Sequence, residues 1–235
     1  FVDSLSVSVP ENTSVISDNS GQLQYYSFEN YIYNSDDEII SNAVDGHASS
    51  MQGSCMLRIN DDHYIRAGSN YSRDNTPENT MLTYIDIIKN GNSESISERK
   101  VLDSSFTSEG LLVIKTKLAG NIYLVVSDTS GTAGGTLSLY KYENDQFKQK
   151  QTLTYEHNYP FHFIKYSPFN KLIVGTNLDT NQMHFFRFNQ TNEQIEDVKR
   201  NSIIPSNNNA SYVEFSPNGE YLYVASSFDF YRLEG

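Results

Sequence analysis

The chain contains no tryptophan, only one cysteine and few basic side chains among its 235 residues. A single cysteine, Cys55, excludes an intrachain disulfide and any zinc site built from several cysteines. Lysine and arginine number 17 against 29 aspartates and glutamates, so the formal net charge is −12. This acidic balance argues against direct nucleic-acid binding and against an anionic membrane surface. No apolar run approaches the roughly 18 residues of a membrane span.

Aromatic residues supply most of the large apolar side chains, with 17 tyrosines and 13 phenylalanines. They alternate with polar residues in short runs, and the breaks between runs are rich in Gly, Asn, Asp and Pro. Period-2 alternation with such breaks is typical of β-strands, and no helix of normal length is indicated. Length and pattern together predict a single all-β domain. Because the chain begins at Phe1 and not at Met, we expect it to be part of a longer protein.

A six-residue pattern occurs twice, at Phe163–Pro168 and Tyr212–Pro217, with the serines 49 residues apart. Each copy leads through a short polar turn into a second apolar run. Self-similarity at this period is the signature of a repeat architecture. The same order of runs can be traced towards the N-terminus, to Val113–Val126, Met56–Ala67 and Leu5–Ser17.

Third and fourth runs follow these pairs. The third runs end in aromatic-rich alternation, and the fourth runs are weaker. The third runs are Leu23–Phe28, Leu82–Ile87, Leu137–Tyr142, His184–Phe188 and Phe228–Leu233, and the fourth runs are Ser95–Leu102, Phe147–Tyr155 and Gln194–Arg200. The segment Val101–Phe106 is ambiguous, because it fits an inner strand as well as an outer one.

Four strands in each repeat of this length predict the blades of a β-propeller, with about five blades in one domain over residues 1–235. The ring is either small or part of a larger one. The predicted blades span approximately 4–41, 54–102, 111–155, 161–200 and 211–235. We expect the residues that face neighbouring blades to be mostly buried, namely Phe163, Val174, Phe186, Val213, Phe215, Leu222, Val224 and Tyr231.

The strand–Ser-Pro-Asn-Gly–strand element at Phe215–Val224 resembles the core of WD-repeat blades and of lactonase-like propellers. The resemblance covers most of the chain as architecture but only two repeats as sequence. No blade ends in Trp-Asp or carries the Gly-His pair of standard WD repeats, and Tyr or Phe stands where those repeats have Trp. The resemblance implies a propeller that is either an interaction module or an enzyme.

The weak catalytic candidates are Glu156 and His162, which lie near Pro160 just before the fourth predicted blade. Lactonase-like propellers carry Pro and His at a similar place, so the resemblance implies a general base or metal ligand there. The alternative is that His162 is an ordinary strand residue between Phe161 and Phe163. That interpretation is favoured, because no other blade entry supplies a matching group.

Other polar clusters are better explained by structure than by chemistry. Asp36–Glu38 and Asn60–Asp62 lack the ligand spacing and central glycine of a calcium loop and are predicted to be turns. The glycine-rich Gly131–Thr136 lacks a phosphate-loop ending and is predicted to be a flexible hairpin. Cys55 is predicted to be a buried, inert thiol. No metal ion or cofactor is predicted.

The favoured function is a non-enzymatic scaffold that docks other proteins within a larger complex, with Tyr71, Arg73, Asn208 and Tyr212 as partner-binding candidates. The long polar inserts Ala67–Thr80 and Ser202–Ser211 are expected to be the contact loops. A lactonase- or cyclase-like enzyme with its site near His162 is the alternative. A secreted or cell-surface adhesion propeller is a further one, although an intracellular protein, cytoplasmic or nuclear, is favoured.

Overall fold

The computed structural model describes residues 13–28, 31–41, 54–60, 63–71, 81–89, 95–103, 107–116, 120–128, 135–155, 160–177, 182–203, 210–226 and 230–234. Within these ranges the regular structure is all β-strand. The described strands are, in chain order, β1 Thr13–Ser17, β2 Leu23–Phe28, β3 Tyr31–Asn34, β4 Ile39–Ser41, β5 Ser54–Asn60, β6 His63–Tyr71, β7 Met81–Lys89, β8 Ser95–Asp103, β9 Thr107–Lys115, β10 Ile122–Asp128, β11 Thr136–Glu143, β12 Gln146–Thr154, β13 Phe163–Ser167, β14 Leu172–Thr176, β15 Gln182–Asn189, β16 Gln194–Ile203, β17 Ala210–Phe215, β18 Tyr221–Ser226 and β19 Phe230–Glu234.

Within each sheet, every strand pairs antiparallel with the next along the chain, which gives a simple meander order. Among the described residues, sheets 1 to 4 contain β1–β4, β5–β8, β9–β12 and β13–β16, and sheet 5 contains the three strands β17–β19. The first strands of consecutive sheets lie side by side, from β1 through β5, β9 and β13 to β17. This arrangement is consistent with the four-stranded blades of a propeller. In the part of the chain described, no helix is long and apolar enough to cross a membrane.

Four apolar clusters fill the spaces between successive sheets, and both faces of sheets 2, 3 and 4 contribute to them. Their buried members include Tyr25, Ile32, Tyr64 and Ile88 between sheets 1 and 2, Ile65, Ala67, Leu111 and Leu124 between sheets 2 and 3, Ile114, Val125, Phe161 and Phe186 between sheets 3 and 4, and Phe163, Val174, Val213 and Val224 between sheets 4 and 5. Alternate side chains of one strand point to opposite faces of the sheet and so pack in different clusters. Most central strands are therefore apolar on both sides, as in β10, which is buried along its whole length.

The strand positions correct two sequence predictions and resolve one ambiguity. Thr13–Ser17 is the first strand of its sheet and not the second, since it pairs only with β2 among the described strands; Leu5–Val9 lies outside the described residues. The ambiguous Val101–Phe106 belongs, up to Asp103, to β8, the outermost strand of sheet 2. The expected loop Ala67–Thr80 is strand as far as Tyr71, and Ala67 is fully buried.

The two copies of the Ser-Pro repeat occupy equivalent places, at the end of the first strand of sheets 4 and 5. Ser167 and Ser216 are both buried. In the second copy the Ser216 hydroxyl donates to Asn218 Oδ1 at 2.7 Å and accepts the Tyr221 N–H at 2.9 Å. The turn of the first copy reaches the turn of the second, because Asn170 Nδ2 donates to the Gly219 carbonyl at 3.1 Å.

Burial confirms six of the eight residues expected between blades, namely Phe163, Val174, Phe186, Val213, Leu222 and Val224. Phe215, the last residue of β17, packs against the same cluster as Val213 but is less completely buried than these six. The side chain of Tyr231 lies outside the described residues.

Phe186→Ala should lower the free energy of unfolding by about 3–5 kcal/mol, the usual range when a fully buried phenylalanine is truncated. Its ring is 0% exposed and contacts the rings of Phe161 and His184. The matched control is Phe215→Ala, for which we expect a smaller loss in the free energy of unfolding. Chemical denaturation of the two variants and the parent would check this. Equal losses at the two positions would contradict the burial pattern.

Candidate functional site

The segment that holds the catalytic candidates forms the junction between sheets 3 and 4. Tyr155, which follows β12, stacks on Phe161, which precedes β13, with ring centroids 4.6 Å apart and planes 17° apart. Both rings also contact Phe186 edge-on at 5.8 Å. Each of these three side chains is at most 3% exposed. Stacked and edge-to-face pairs of this kind add to the stability given by burial alone.

Hydrogen bonds fix the backbone of the same junction to both sheets. The N–H of Phe161 donates to Ser127 Oγ on β10 at 2.7 Å, and its carbonyl accepts the Gly110 N–H of β9 at 3.2 Å. On the side of sheet 4, Asn177 Nδ2 donates to the Pro160 carbonyl at 2.6 Å. These bonds satisfy polar groups that burial would otherwise leave unpaired, so the junction is rigid.

Two glycines allow the aromatic rings to approach the sheets. A Cβ at Gly175 of β14 would lie 2.6 Å from the ring of Phe161, and one at Gly135 would collide with the hydroxyl end of Tyr155. The segment Gly131–Thr136 does connect two antiparallel strands, β10 and β11, as the hairpin prediction requires. Gly135, however, is a packing residue at its end, and residues 129–134 lie outside the described ranges.

His162 lies at this junction, and its backbone is bonded to sheet 4. Its N–H donates to the Thr176 carbonyl at 3.0 Å, and its side chain is half-buried between the buried residues Phe161 and Phe163. Glu156 lies outside the described residues. Within the described ranges no group of three His, Cys, Asp or Glu side chains could hold a metal ion.

The most buried polar groups near the junction are ones that the sequence did not single out. Burial raises the pKa of the Tyr155 hydroxyl, and the carboxylate of buried Asp128 raises it further. His184 Nε2 lies 3.0 Å from Asp197 Oδ1, and the imidazole is 3% exposed and stacked on Phe186 at 4.6 Å. This pair ties β15 to β16, and the imidazole is almost fully shielded from solvent.

The remaining chemical candidates keep their structural explanations. In the turn at Asp36–Glu38, Asn34 Oδ1 accepts the N–H groups of Asp36 and Glu38 at 3.0 and 2.9 Å, which makes it an Asx-type turn. Cys55 is only partly buried, contrary to the prediction, but desolvation raises the pKa of its thiol to about 12, so the reactive thiolate is disfavoured. Asp61 and Asp62 lie outside the described residues.

An electrostatic contact joins sheets 3 and 4 at their outer side. Lys141 Nζ lies 2.6 Å from Glu193 Oε1 and 3.4 Å from Glu143 Oε1. The hydrogen bond to Lys141 lowers the pKa of Glu193, and burial together with Glu193 raises the pKa of Tyr123 to about 12. Nearby, the Gln151 amide donates to the Ile195 carbonyl at 2.9 Å and accepts its N–H at 2.7 Å, which links β12 to β16.

Of the partner-binding candidates, the structure describes the side chain of one. Tyr212 on β17 is 41% exposed. Its ring packs edge-on against Phe163 of β13 at 5.5 Å and 79°. Tyr71 is the last residue of β6, where it pairs with Met81, but its side chain is outside the described set. Arg73 and Asn208 lie outside the described residues altogether.

Charged residues border Tyr212 along the same two strands. Lys165 Nζ of β13 lies 2.8 Å from Glu214 Oε2 of β17, and the ammonium is 5.4 Å from the centroid of the Phe163 ring. We call Phe163, Lys165, Tyr212 and Glu214 the Tyr212 surface. An aromatic side chain that is half-exposed, yet oriented by a buried ring and flanked by an ion pair, can anchor a protein partner with little loss of conformational freedom.

No protein family and no curated protein matches the chain by sequence. Solved structures do match it in fold. Hydrazine synthase from Kuenenia stuttgartiensis matches 96% of this chain and 71% of its own at 10% identity with a TM-score of 0.61. The periplasmic gluconolactonase PpgL from Pseudomonas aeruginosa matches 92% and 61% at 11% identity and 0.53. Sqt1 from Chaetomium thermophilum matches 74% and 41% at 13% identity and 0.48.

These neighbours are propeller-type proteins, and the likeness concerns the fold alone. The chain spans less than two thirds of the length of two of the three structures, PpgL and Sqt1. The all-β arrangement with several four-stranded antiparallel sheets is thus consistent with a propeller.

Gly135→Ala should destabilise the chain strongly, because the added methyl group collides with a ring that is itself enclosed by Phe161 and Phe186. Gly21→Ala is the control: Gly21 has a positive φ, of 85°, whereas Gly135 does not, and nothing lies within 4 Å of the new Cβ at Gly21. We expect Gly21→Ala to lower the free energy of unfolding by about 1–2 kcal/mol, from backbone strain alone. Gly135→Ala should lower it clearly more. Thermal melts of similar midpoint for the two variants would contradict this account.

Lys141→Met should lower stability by about 0.5–1 kcal/mol at neutral pH, since the ion pair is partly exposed. The pKa of Glu193 is lowered in the folded chain, so the stability from this group is present above its unfolded pKa and is lost as the pH falls through the folded one. The difference between variant and parent should therefore narrow below about pH 4. Chemical denaturation of variant and parent at a series of pH values would check this. A stability difference that stays constant with pH would contradict the role of the Lys141–Glu193 pair.

Proposed function

We propose that the chain is a non-enzymatic interaction propeller, with its five described sheets acting as five blades of one domain, and that it docks other proteins within a larger assembly. The observation that carries the proposal is the Tyr212 surface, where an exposed aromatic ring is fixed by a buried neighbour on a rigid pair of strands. Loops and strand edges on such a scaffold often bind partners. The predicted contacts at Tyr71, Arg73 and Asn208 extend this proposal, as does the predicted intracellular location.

The charge of the chain suggests the chemistry of the partner. A formal net charge of −12 creates a negative field that attracts a basic protein and accelerates the encounter at low ionic strength. Within the Tyr212 surface, the Glu214 side chain is 65% exposed although it pairs with Lys165, so it can also accept a hydrogen bond from a basic group. We therefore propose a basic surface with an apolar pocket as the preferred partner.

Tyr212→Ser should weaken partner binding at least about tenfold, the effect expected when an interface anchor worth about 1.4 kcal/mol or more is removed. Phe169→Ser is the matched control, because Phe169 is also an exposed aromatic residue, at 58%, but lies in the turn after β13. A photo-crosslinking amino acid placed at 212 and, separately, at 169 would identify the partner in cells of the source organism. Binding would then be measured with the purified pair at low and high salt.

Equal loss of binding in both variants, or none in Tyr212→Ser, would reject the Tyr212 surface as the docking site. Faster association at low salt would support the basic partner, and salt-independent association would reject it. Lactone hydrolysis by the purified chain that His162→Ala abolishes would overturn the non-enzymatic proposal itself. Thermal melts of all variants would show whether a lost activity reflects lost folding.

A further inference from the structure

The Tyr212 surface already holds one cation between an aromatic ring and a carboxylate. Lys165 Nζ lies 5.4 Å from the centroid of the Phe163 ring and 2.8 Å from Glu214 Oε2. The ring attracts the ammonium group through its quadrupole, and the carboxylate attracts it through its charge. The chain's own lysine therefore shows which type of group this surface holds.

A second ring and the same carboxylate lie side by side on β17. Tyr212 and Glu214 are two residues apart in a regular part of the strand, so their side chains leave the same face of the sheet, about 7 Å apart along it. The Tyr212 ring is 41% exposed, and its edge-on contact with Phe163 can cover at most one of its two faces. The residue paired with Tyr212 on β18 is Ala225, whose single methyl group is too small to cover a ring.

The Glu214 carboxylate can bind a further cation. Its contact with Lys165 uses Oε2, whereas an ionised carboxylate accepts hydrogen bonds at both of its oxygens. The side chains of Glu214 and Lys165 are 65% and 32% exposed, so water reaches both groups and their ion pair is weak. A cation from another molecule can therefore bind beside Lys165 or replace it.

We propose, on the basis of the docking function proposed above, that the partner contributes an arginine side chain to the Tyr212 surface. Its guanidinium plane stacks on the Tyr212 ring, and one of its N–H groups donates to Glu214. A guanidinium group is planar, so it can lie on a ring and still donate sideways in its own plane. An ammonium group has no flat face and is more strongly hydrated, so a lysine gains less from the same two neighbours.

Lys165 is then an internal competitor for the Glu214 carboxylate. When its charge is removed, the carboxylate is available to the arginine alone, and the affinity for arginine should rise. A purely structural ion pair would behave differently, because its loss would lower stability without any gain in binding. Binding affinity therefore separates the two roles of Lys165.

Two fluorescent peptides test the choice of arginine with the purified chain. They have the same glycine- and serine-rich sequence with cationic residues at the same positions, which are arginine in one peptide and lysine in the other. Because their charges are equal, the general attraction to the acidic chain is equal as well. Fluorescence anisotropy should show about two- to fivefold tighter binding of the arginine peptide, the size of an exposed cation–aromatic contact.

Variants of the chain show whether this preference arises at the Tyr212 surface. Tyr212→Leu should abolish it, whereas Tyr212→Phe, which keeps the ring, should retain it. Glu214→Gln should weaken binding of the arginine peptide severalfold more than Glu196→Gln, which removes the same charge from an exposed position on β16. Lys165→Met should strengthen binding more than Lys148→Met, the same change at an exposed lysine of β12.

Equal affinity of the two peptides for the parent chain would overturn the arginine proposal, and so would a preference that persists in Tyr212→Leu. Equal binding by Lys165→Met and Lys148→Met would overturn the competing role of Lys165. Thermal melts would confirm that each variant is folded. The docking function has a separate test: a partner crosslinked at position 212, together with equal binding of the two peptides, would retain the docking site and reject arginine as its ligand.

Discussion

In sheets 2, 3 and 4, apolar side chains cover both faces, and the position of every other element depends on this two-sided burial. A strand such as β10, buried along its whole length, cannot face water on either side. The sheets must therefore stack in chain order, each covering the one before it. In a chain without tryptophan, tyrosine and phenylalanine are the side chains that bury the largest areas. Fully buried tyrosines and phenylalanines therefore supply most of the contact between the stacked sheets.

The junction between sheets 3 and 4 shows how polar groups are accommodated within this packing. Phe161 contributes a stacked ring to the core while its N–H and carbonyl bond to Ser127 and Gly110 of sheet 3. The backbone of Phe161 is thus buried with both of its polar groups paired. This arrangement positions β13, which carries Phe163 and Lys165, and so it indirectly orients Tyr212 on the neighbouring strand.

The sequence predicts what local alternation determines and misses what pairing across the chain determines. The Ser-Pro repeats, the strands that follow them and the burial of Phe186 follow from period-2 patterns, and the structure confirms them. The place of Thr13–Ser17 in its sheet does not follow from these patterns, because the first and second strands of a blade have the same alternation. The roles of Gly135 and Asp197 depend on a close approach and on a register shift in β16, which no local pattern reveals.

The alternation that builds the core also determines the surfaces at its ends. A strand whose two faces are both apolar requires a neighbour on each side. In sheet 1, Tyr25 and Ile32 are covered by sheet 2, whereas Val15 and Ile39 are exposed on the opposite face, which no described sheet covers. This row continues the alternation of the core, whereas the Tyr212 surface is particular to two strands.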